Sequence, residues 1–405
     1  MALTPLSDAL ATLLAQIDST PQTEWVSLEA SSGRYAAEAV HSTLSVPPAD
    51  NSAMDGYAVR TGDLPAVLRV SQRIPAGSAP AALEPATAAR IFTGAEIPDG
   101  ADAVVLQEDA EQLDEGVRLP EAREGQHIRR RGGDIQPDQQ LVAAGWYLRP
   151  QDIGLLASVG LDAVRVFQPL TVAILTTGDE LREPGSGDLA SGEIYNSNRF
   201  SLAAQIRALG MNVLDMGNLP DQPERIGDAL ERAAAEADCV LTAGGVSVGE
   251  EDHVRGQIES RGSLTLWKLA IKPGKPLAFG EVCGTPVFGL PGNPVSSWMT
   301  FALVAKPWLI KRQGGAVFAP PRFAVRSAFE LPRPGTREEF VRVSLSGSGT
   351  AMEAALTGNQ SSGVLSSLSE ADGVAVIQPG QTVAKGDWLD VMPMSALLSP
   401  GVAWG

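Results

Sequence analysis

The clearest pattern along the chain is an alternation of short apolar runs with helically spaced apolar positions between residues 170 and 318. Strand-like runs occupy 171–175, 211–216, 239–242, 264–269 and 285–290, and helical spacing occupies 199–209, 223–237 and 296–309. This alternation predicts a parallel sheet with helices on both faces. Ligands of such sheets bind beyond the carboxyl ends of the strands, so the loops that follow the strands should share one edge.

The regions on either side have different patterns. Apolar residues recur at helical spacing in 5–17 and 146–166, whereas 67–141 contains short alternating runs broken by Gly and Pro. After residue 320 the apolar runs are short and strand-like. We therefore predict a multidomain α/β plus β protein with four parts. These are a helical and extended linking domain (1–45 and 146–169), an inserted β-rich domain (46–145), a doubly wound α/β domain (170–318) and a small C-terminal β-barrel (319–405).

Charge narrows the choice of partners. The 405 residues include 31 Lys and Arg against 48 Asp and Glu, a formal net charge of -17. Such a balance argues against nucleic acid or an anionic membrane as the main partner, so any anion site must be a local basic patch. No apolar run is long enough to cross a bilayer and no secretory signal is visible, so we expect a cytoplasmic protein.

Cysteine and histidine usage is sparse. Cys239 and Cys283 lie in apolar, strand-like runs, where we expect them to pack as small hydrophobic side chains without a disulfide. Only three histidines are present and they are scattered, which disfavours a zinc centre.

The loops at the predicted sheet edge share glycines, hydroxyls and carboxylates. Glycines let a ligand approach the backbone, and carboxylates are ligands that Mg²⁺ prefers. The candidates are Thr177, Gly178, Glu180, Asp221, Gly244, Gly245, Ser247, Gly249, Asp252, Pro291, Gly292, Asn293 and Pro294. Taken alone, the stretch 241–252 fits equally well a glycine turn followed by the acidic start of a helix.

Two further groups of charged residues stand out. Lys268, Lys272 and Lys275 lie close together in a strongly acidic chain, which favours an anion contact over solvated strand ends. Asp55 and Asp134 each follow or precede glycine on a turn, where a functional carboxylate is only slightly favoured over a tight turn. The neighbouring basic run, 129–131, is typical of a solvated face.

Several common active-site types are absent. Pro276 occupies the Ser/Thr position that a Walker loop requires after Gly274-Lys275, and no Gly-x-Gly-x-x-Gly follows a predicted strand. No histidine is placed to activate a Ser or Cys nucleophile. Group transfer assisted by a metal ion and carboxylates is the chemistry that remains.

Seven motifs together resemble the MoeA-type molybdopterin molybdenumtransferases, which are similar to the gephyrin E domain. Each motif is weak by itself, but their number and order along the chain carry the resemblance. They are 50–58 (DNSAMDGYA), 130–134 (RRGGD), 176–181 (TTGDEL), 194–199 (IYNSNR), 244–249 (GGVSVG), 272–276 (KPGKP) and 290–294 (LPGNP).

The resemblance implies a MogA-like fold for the α/β domain and a cytoplasmic homodimer of elongated subunits. It implies a reaction in which molybdate is inserted into adenylylated molybdopterin, with Mg²⁺-dependent release of AMP and of molybdenum cofactor. The molybdopterin adenylyltransferase and the recipient molybdoenzymes would be further partners.

The resemblance also assigns roles to the candidate residues. Glu180, Asp221 and Asp252 would bind the metal, and the cleft would be completed across the dimer by Asp55 and Asp134 of the other subunit. The implied catalytic residues are Asp55, Asp134, Glu180, Asp252, Lys268 and Lys272. The implied substrate-binding residues are Thr177, Gly178, Gly244, Gly245, Ser247, Gly249, Lys275, Pro291, Gly292, Asn293 and Pro294.

Two departures from the family pattern keep alternatives open. Many relatives have Asp-Thr where this chain has Asn196-Ser197, and Gly-Glu-Asp where it has Gly132-Gly133-Asp134. Each departure removes an acid beside the implied site, so a preference for tungstate is one alternative. The others are a molybdopterin carrier, or a scaffold like gephyrin, without turnover.

Overall fold

The computed structural model describes residues 3–245 and 253–400. Near the N-terminus the helix Leu6–Ala15 matches the predicted helix, and the strand Thr23–Ser27 pairs antiparallel with Ala163–Phe167. The prediction of helical structure through residue 166 was therefore wrong at its end. The helix covers only Pro150–Ser158, and Gly160, at φ +80°, lies between it and a strand in which Val164 and Val166 are buried while Arg165 is exposed.

The inserted region is β-rich, as predicted. It contains a six-stranded sheet. The strands are Gly56–Val59, Ala66–Ile74, Thr87–Ile91, Ala103–Leu106, Glu111–Leu113 and Gly116–Leu119. Short paired strands flank it at Val40–His41 with Gln140–Val142, and at Asn51–Ser52 with Ile128–Arg129.

A second six-stranded sheet forms the α/β region, and its strands are labelled here in chain order. They are β1 (Thr171–Thr177), β2 (Asn212–Leu219), β3 (Cys239–Ala243), β4 (Gly262–Lys268), β5 (Pro276–Val282) and β6 (Thr285–Leu290). The order across the sheet is β2-β1-β3-β6-β5-β4. The first four of these strands are mutually parallel, whereas β5 pairs antiparallel with both β6 and β4.

The sheet is therefore mixed, and the prediction of a parallel sheet overlooked β5. A two-residue turn causes the reversal, because Val282 pairs with Thr285 around Cys283, at φ +49°, and Gly284, at φ +83°. Two consecutive positive φ angles are the requirement of a tight hairpin. Cys283 is exposed at this turn, so its predicted burial was wrong, whereas Cys239 is buried as predicted.

Helices cover both faces of the sheet, which confirms the doubly wound arrangement. One face packs against Ser197–Ala208, the N-terminal helix and a long helix built from Pro294–Thr300, the π-helical turn Phe301–Ala305 and Lys306–Arg312. Pro223–Glu236 and His253–Arg261 cover the other face. Two separate cores result, one containing Phe288 and Trp308 and the other containing Leu175 and Val254.

The C-terminal region is a closed β-barrel, as predicted. Its strands are Phe323–Ser327, Glu338–Ser346, Glu353–Leu356, Gly373–Ile377 and Trp388–Pro393. Closure comes from the pairing of Glu338–Ser346 with Gly373–Ile377. The short strand Ile271–Lys272 of the α/β region joins this barrel by pairing with Glu338 and Glu339. Across the two described ranges, no helix has the length and apolar character needed to span a membrane.

Candidate functional site

The carboxyl ends of five strands meet at one edge of the α/β sheet. Those of β1, β2, β3 and β6 follow from the parallel pairing, and β4 joins them because it runs antiparallel to β5. Lys268, the last residue of β4, pairs with Pro276, so Lys275 lies at the same edge. The predicted common edge is present, and the hairpin adds the lysines to it.

The acids and the lysines lie at opposite ends of this edge. Glu180 follows β1, and Lys268 ends β4, which is four strands away in the order β1-β3-β6-β5-β4. Neighbouring strands are spaced by about 4.8 Å, so the two ends are about 19 Å apart. One small anion cannot contact both ends, whereas an elongated ligand can.

The first two loops bring three carboxylates into one neighbourhood. The amide of Asp221 donates to Asp179 Oδ1 over 3.2 Å. Partial burial raises the pKa of the Asp221 carboxyl above its usual range, and the negative charges of Asp179 and Glu180 raise it further. Clustered carboxylates that oppose each other's ionisation are stabilised by a divalent cation, and their oxygens suit Mg²⁺.

This neighbourhood fits a cation in its chemistry but is incomplete in the described part of the chain. Over 3–245 and 253–400, no group of three or more His, Cys, Asp or Glu side chains has a metal-binding arrangement. Asp252, the third predicted ligand, lies outside these ranges, as do Ser247 and Gly249. Of the predicted metal ligands, Glu180 and Asp221 are brought together here.

Glycines form the floor between the two ends. Gly245, at φ +70°, adopts a conformation that favours glycine, and a Cβ there would lie 2.4 Å from Val254 Cγ2 and 3.1 Å from Thr177 Oγ1. Thr177 is buried as the last residue of β1, although it was predicted to lie in the loop. A Cβ on Gly292 would lie 3.7 Å from Gly244 Cα, so these two loops are close neighbours. Gly245 therefore permits close packing against Val254 and Thr177, and the exposed Gly292 presents backbone at this edge.

The loop 291–294 leads directly into a helix. Pro294 is the first residue of that helix, and the amide of Ser297 donates to the carbonyl of Asn293 over 2.8 Å. Pro291 is buried, whereas Gly292 and Asn293 are exposed. Asn198 Nδ2 donates to the Gly292 carbonyl over 2.7 Å and so holds this loop against the helix Ser197–Ala208. Pro294 fits the first turn of a helix because its nitrogen needs no partner there.

The three lysines differ in their surroundings. Lys272 Nζ lies 3.0 Å from Glu339 Oε2 of the barrel, so part of its charge is already paired. The side chains of Lys268 and Lys275 have no hydrogen-bond or ion-pair partner among the described residues. Those two side chains are therefore available to an anion.

Asp55 and Asp134 lie in the β-rich region and not at this edge. Asp55 Oδ1 accepts hydrogen bonds from the Thr93 amide at 2.7 Å and the Thr93 hydroxyl at 2.8 Å. These bonds, with the nearby Arg90 charge, hold the pKa of the Asp55 carboxyl below its usual range. Asp134 is exposed, and its amide donates to the Val46 carbonyl. No hydrogen bond between described residues joins either carboxylate to the edge of the α/β sheet.

The basic run beside Asp134 is not simply solvated. Arg130 Nη1 lies 2.6 Å from Asp50 Oδ2, and the Arg131 amide donates to Asp50 Oδ1 over 2.8 Å. The backbone bond from Arg131 comes first among the causes that lower the pKa of the Asp50 carboxyl. Arg129 and Arg130 are exposed, as expected of a solvated face, and the pairing of Arg130 with Asp50 additionally ties together the two motifs that carry Asp55 and Asp134.

Sequence reasoning gave no role to a group of polar residues that support the edge. Buried Asn196 caps the helix Ser197–Ala208, and its Nδ2 donates to Thr176 Oγ1 over 2.8 Å. Arg199 contacts Glu183 and Asp215. The motif 194–199 contained both residues, but a one-dimensional pattern does not reveal contacts with residues more than ten positions away.

Comparison with known proteins gives consistent matches along the chain. Three family descriptions match: "MoeA N-terminal region (domain I and II)" at 4–160, "Probable molybdopterin binding domain" at 173–311 and "MoeA C-terminal region (domain IV)" at 324–394. A molybdopterin molybdenumtransferase of Haemophilus influenzae is 40% identical over 345 residues, 83% of this chain and 85% of the relative. One from Nostoc is 37% identical over 386 residues, 91% of this chain and 88% of the relative.

Solved structures agree with these matches. A molybdopterin biosynthesis MoeA protein from Pyrococcus horikoshii superposes with a TM-score of 0.83 at 28% identity, covering 97% of this chain and 100% of that one. A second structure of a MoeA protein from the same organism has a TM-score of 0.76 at 32% identity, covering 97% and 99%.

Proposed function

Because the chain belongs to the MoeA family of molybdopterin molybdenumtransferases, we propose that it inserts molybdate into adenylylated molybdopterin with release of AMP. Its family makes it a transferase of molybdenum cofactor biosynthesis. The adenylylated form of the substrate, the metal dependence and the products belong to the proposal.

The observation that carries the proposal is the layout of the sheet edge. Carboxylates lie at one end, and two lysines without a partner among the described residues lie about 19 Å away at the other, with a glycine floor between them. A pterin joined to a nucleotide through a diphosphate is long and anionic, so it could reach both ends. The lysine end suits an oxyanion such as molybdate, and the glycine floor suits phosphate oxygens.

Each part of the edge then has a role. Glu180 and Asp221, with Asp252, would hold Mg²⁺. When bound, this ion would shield the charge that develops on the diphosphate as the adenylyl group leaves. Lys268 and Lys275 would contact the anion, and the backbone at Gly244, Gly245 and Gly292 would contact phosphate and pterin. Pro291 and Pro294 would shape the pocket, while Asn293 starts the helix that lines it.

The remaining parts of the proposal concern the assembly. We expect a cytoplasmic homodimer in which Asp55 and Asp134 of one subunit face the sheet edge of the other. The family resemblance supports this arrangement, together with the separation of both carboxylates from the edge within one chain. Docking with the adenylyltransferase and with recipient molybdoenzymes also remains a proposal.

The test is AMP release by the purified full-length chain from adenylylated molybdopterin with Mg²⁺, with and without molybdate. We expect molybdate-dependent release that Asp221→Asn and Lys268→Ala suppress by about 10² or more, as for removal of groups that stabilise a transition state. Lys385→Ala removes a lysine charge from an exposed position of the barrel and should leave the rate unchanged.

Tight binding of the substrate without AMP release would contradict the transferase reaction and favour a carrier or scaffold. Tungstate added in place of molybdate tests the choice of oxyanion. Faster release with tungstate at equal concentration would assign this chain to tungsten instead.

A further inference from the structure

A single guanidinium connects the segment after β1, which carries Glu180, to strand β2, which leads into the loop that carries Asp221. Arg199 Nη1 lies 2.6 Å from Glu183 Oε2, on the segment that follows β1. Arg199 Nε donates to Asp215 Oδ1, on β2, over 2.8 Å. The hydrogen bond to Asp215 is the main cause that raises the pKa of the Arg199 side chain, and the bond to Glu183 adds to it. Arg199 therefore stays charged and paired on both sides.

Both carboxylates are also held by other groups. Asp215 Oδ1 accepts a second hydrogen bond from the Gly217 amide at 3.0 Å, within β2. Glu183 Oε1 accepts from Asn196 Nδ2 at 3.3 Å, and the same amide group holds Thr176 at the end of β1. A shift of the Glu183 segment relative to β2 would have to break this network.

We propose that Arg199 is a positioning residue that sets the separation of Glu180 from Asp221 and so determines how tightly the edge binds a divalent cation. This inference rests on the cation site of the proposed function. A planar guanidinium presents donors in a fixed fork, so it can pair at once with two carboxylates from different elements of the fold. A lysine ammonium lacks this fork and would hold the two less firmly.

The direction of the effect separates positioning from simple electrostatics. Removing a positive charge near an acidic site strengthens cation binding through Coulomb's law. Loss of positioning weakens it, because the ligands are no longer held at a suitable spacing. Removing a group that orients metal ligands from behind lowers metal affinity by about 10-fold to 100-fold.

The chain offers a matched control in Arg182. This arginine lies on the same segment after β1, and its Nε donates to Glu193 Oε1 over 2.6 Å. Glu193 lies on that same segment, between β1 and the helix Ser197–Ala208, so the pair does not bridge to β2. Arg182→Gln removes an equal charge and an ion pair but leaves the link between the segment after β1 and strand β2 intact.

The experiment is a Mn²⁺ titration of the purified full-length protein followed by electron paramagnetic resonance, with Mg²⁺ as competitor. We expect the dissociation constant to rise about 10-fold or more for Arg199→Gln, to rise less for Arg199→Lys, and not to rise for Arg182→Gln. In the AMP-release reaction, Arg199→Gln should raise the Mg²⁺ concentration needed for half activation without raising KM for the substrate.

Three results would overturn the inference. The first is that Arg199→Gln binds Mn²⁺ as tightly as the wild type, and the second is that it binds Mn²⁺ more tightly. The third is that Arg182→Gln weakens Mn²⁺ binding to the same extent as Arg199→Gln. If the wild type binds Mn²⁺ in the same experiment and Asp221→Asn does not, the cation site stands and only the role of Arg199 fails. If the wild type binds no Mn²⁺ at this edge, the cation site of the proposed function fails as well. Thermal unfolding of each variant confirms that it is folded, and Arg199→Lys supplies the test if Arg199→Gln does not fold.

Discussion

At the scale of single residues, the contacts of Asn196 show why an amide side chain suits this position. Its side chain is buried, and its Nδ2 donates both to Thr176 Oγ1 and to Glu183 Oε1. An aspartate at this position has no N–H group to donate, and it would place a second carboxylate beside Glu183. Asparagine therefore fits the neighbours that this chain has, because its amide donates to Glu183, which also pairs with Arg199, and adds no negative charge.

This leads to a prediction for Asn196→Asp. Losing a buried donor and adding a like charge should lower the free energy of unfolding at neutral pH by about 1–3 kcal/mol. Urea unfolding measures the loss. Asn212→Asp, at an exposed position, should change stability little. The double variant Asn196→Asp with Glu183→Gln should recover part of the loss, because the amide can donate to the new carboxylate. A full loss in the double variant would show that repulsion by Glu183 is not the cause.

At the scale of elements, the β5–β6 hairpin decides which residues reach the edge. Without it β4 would not end beside the parallel strands, and Lys268 would not be paired with Pro276. The turn depends on backbone conformation alone, since a Cβ on Gly284 would meet nothing within 4 Å. The left-handed φ of Gly284 is the only local reason for glycine there.

Two glycine substitutions should therefore have opposite effects. Gly284→Ala should destabilise the protein by about 1 kcal/mol, because alanine is strained at φ +83°. Gly256→Ala, in the helix His253–Arg261, should stabilise it by about 0.5–1 kcal/mol, since a Cβ there also meets nothing and no positive φ is required. Chemical denaturation of both variants checks the signs. Equal effects at the two sites would contradict the argument from φ.

At the scale of the whole molecule, the candidate residues occur in two separate regions. The acids, glycines and lysines share the edge of the α/β sheet, whereas Asp55 and Asp134 lie on turns beside the β-rich sheet. Within one chain, no hydrogen bond among the described residues joins the two groups. A shared cleft between two copies, as proposed, would bring them together.

Mixed dimers test this arrangement. Asp55→Asn and Lys268→Ala should each be inactive alone. In a mixed dimer, one cleft carries both substitutions and the other carries neither, so random mixing of subunits should restore about a quarter of the wild-type activity. The AMP-release rate of co-expressed, differently tagged variants measures the recovery. Purified mixed dimers without any recovery would show that each cleft is formed by a single chain.

The sequence by itself determined the doubly wound α/β region, the β-rich insertion and the C-terminal barrel. It also indicated the edge where Thr177, Glu180, Asp221 and Gly244 meet, because strand and helix periodicities and parallel strand order are properties of local pattern. Family membership was readable for the same reason, since the motifs are contiguous. Tertiary structure alone decided the reversal at Cys283-Gly284, the pairing of Arg130 with Asp50 and the Glu183–Arg199–Asp215 bridge. These depend on tertiary contacts and backbone conformations, which produce no periodic pattern of apolar and polar residues in the sequence.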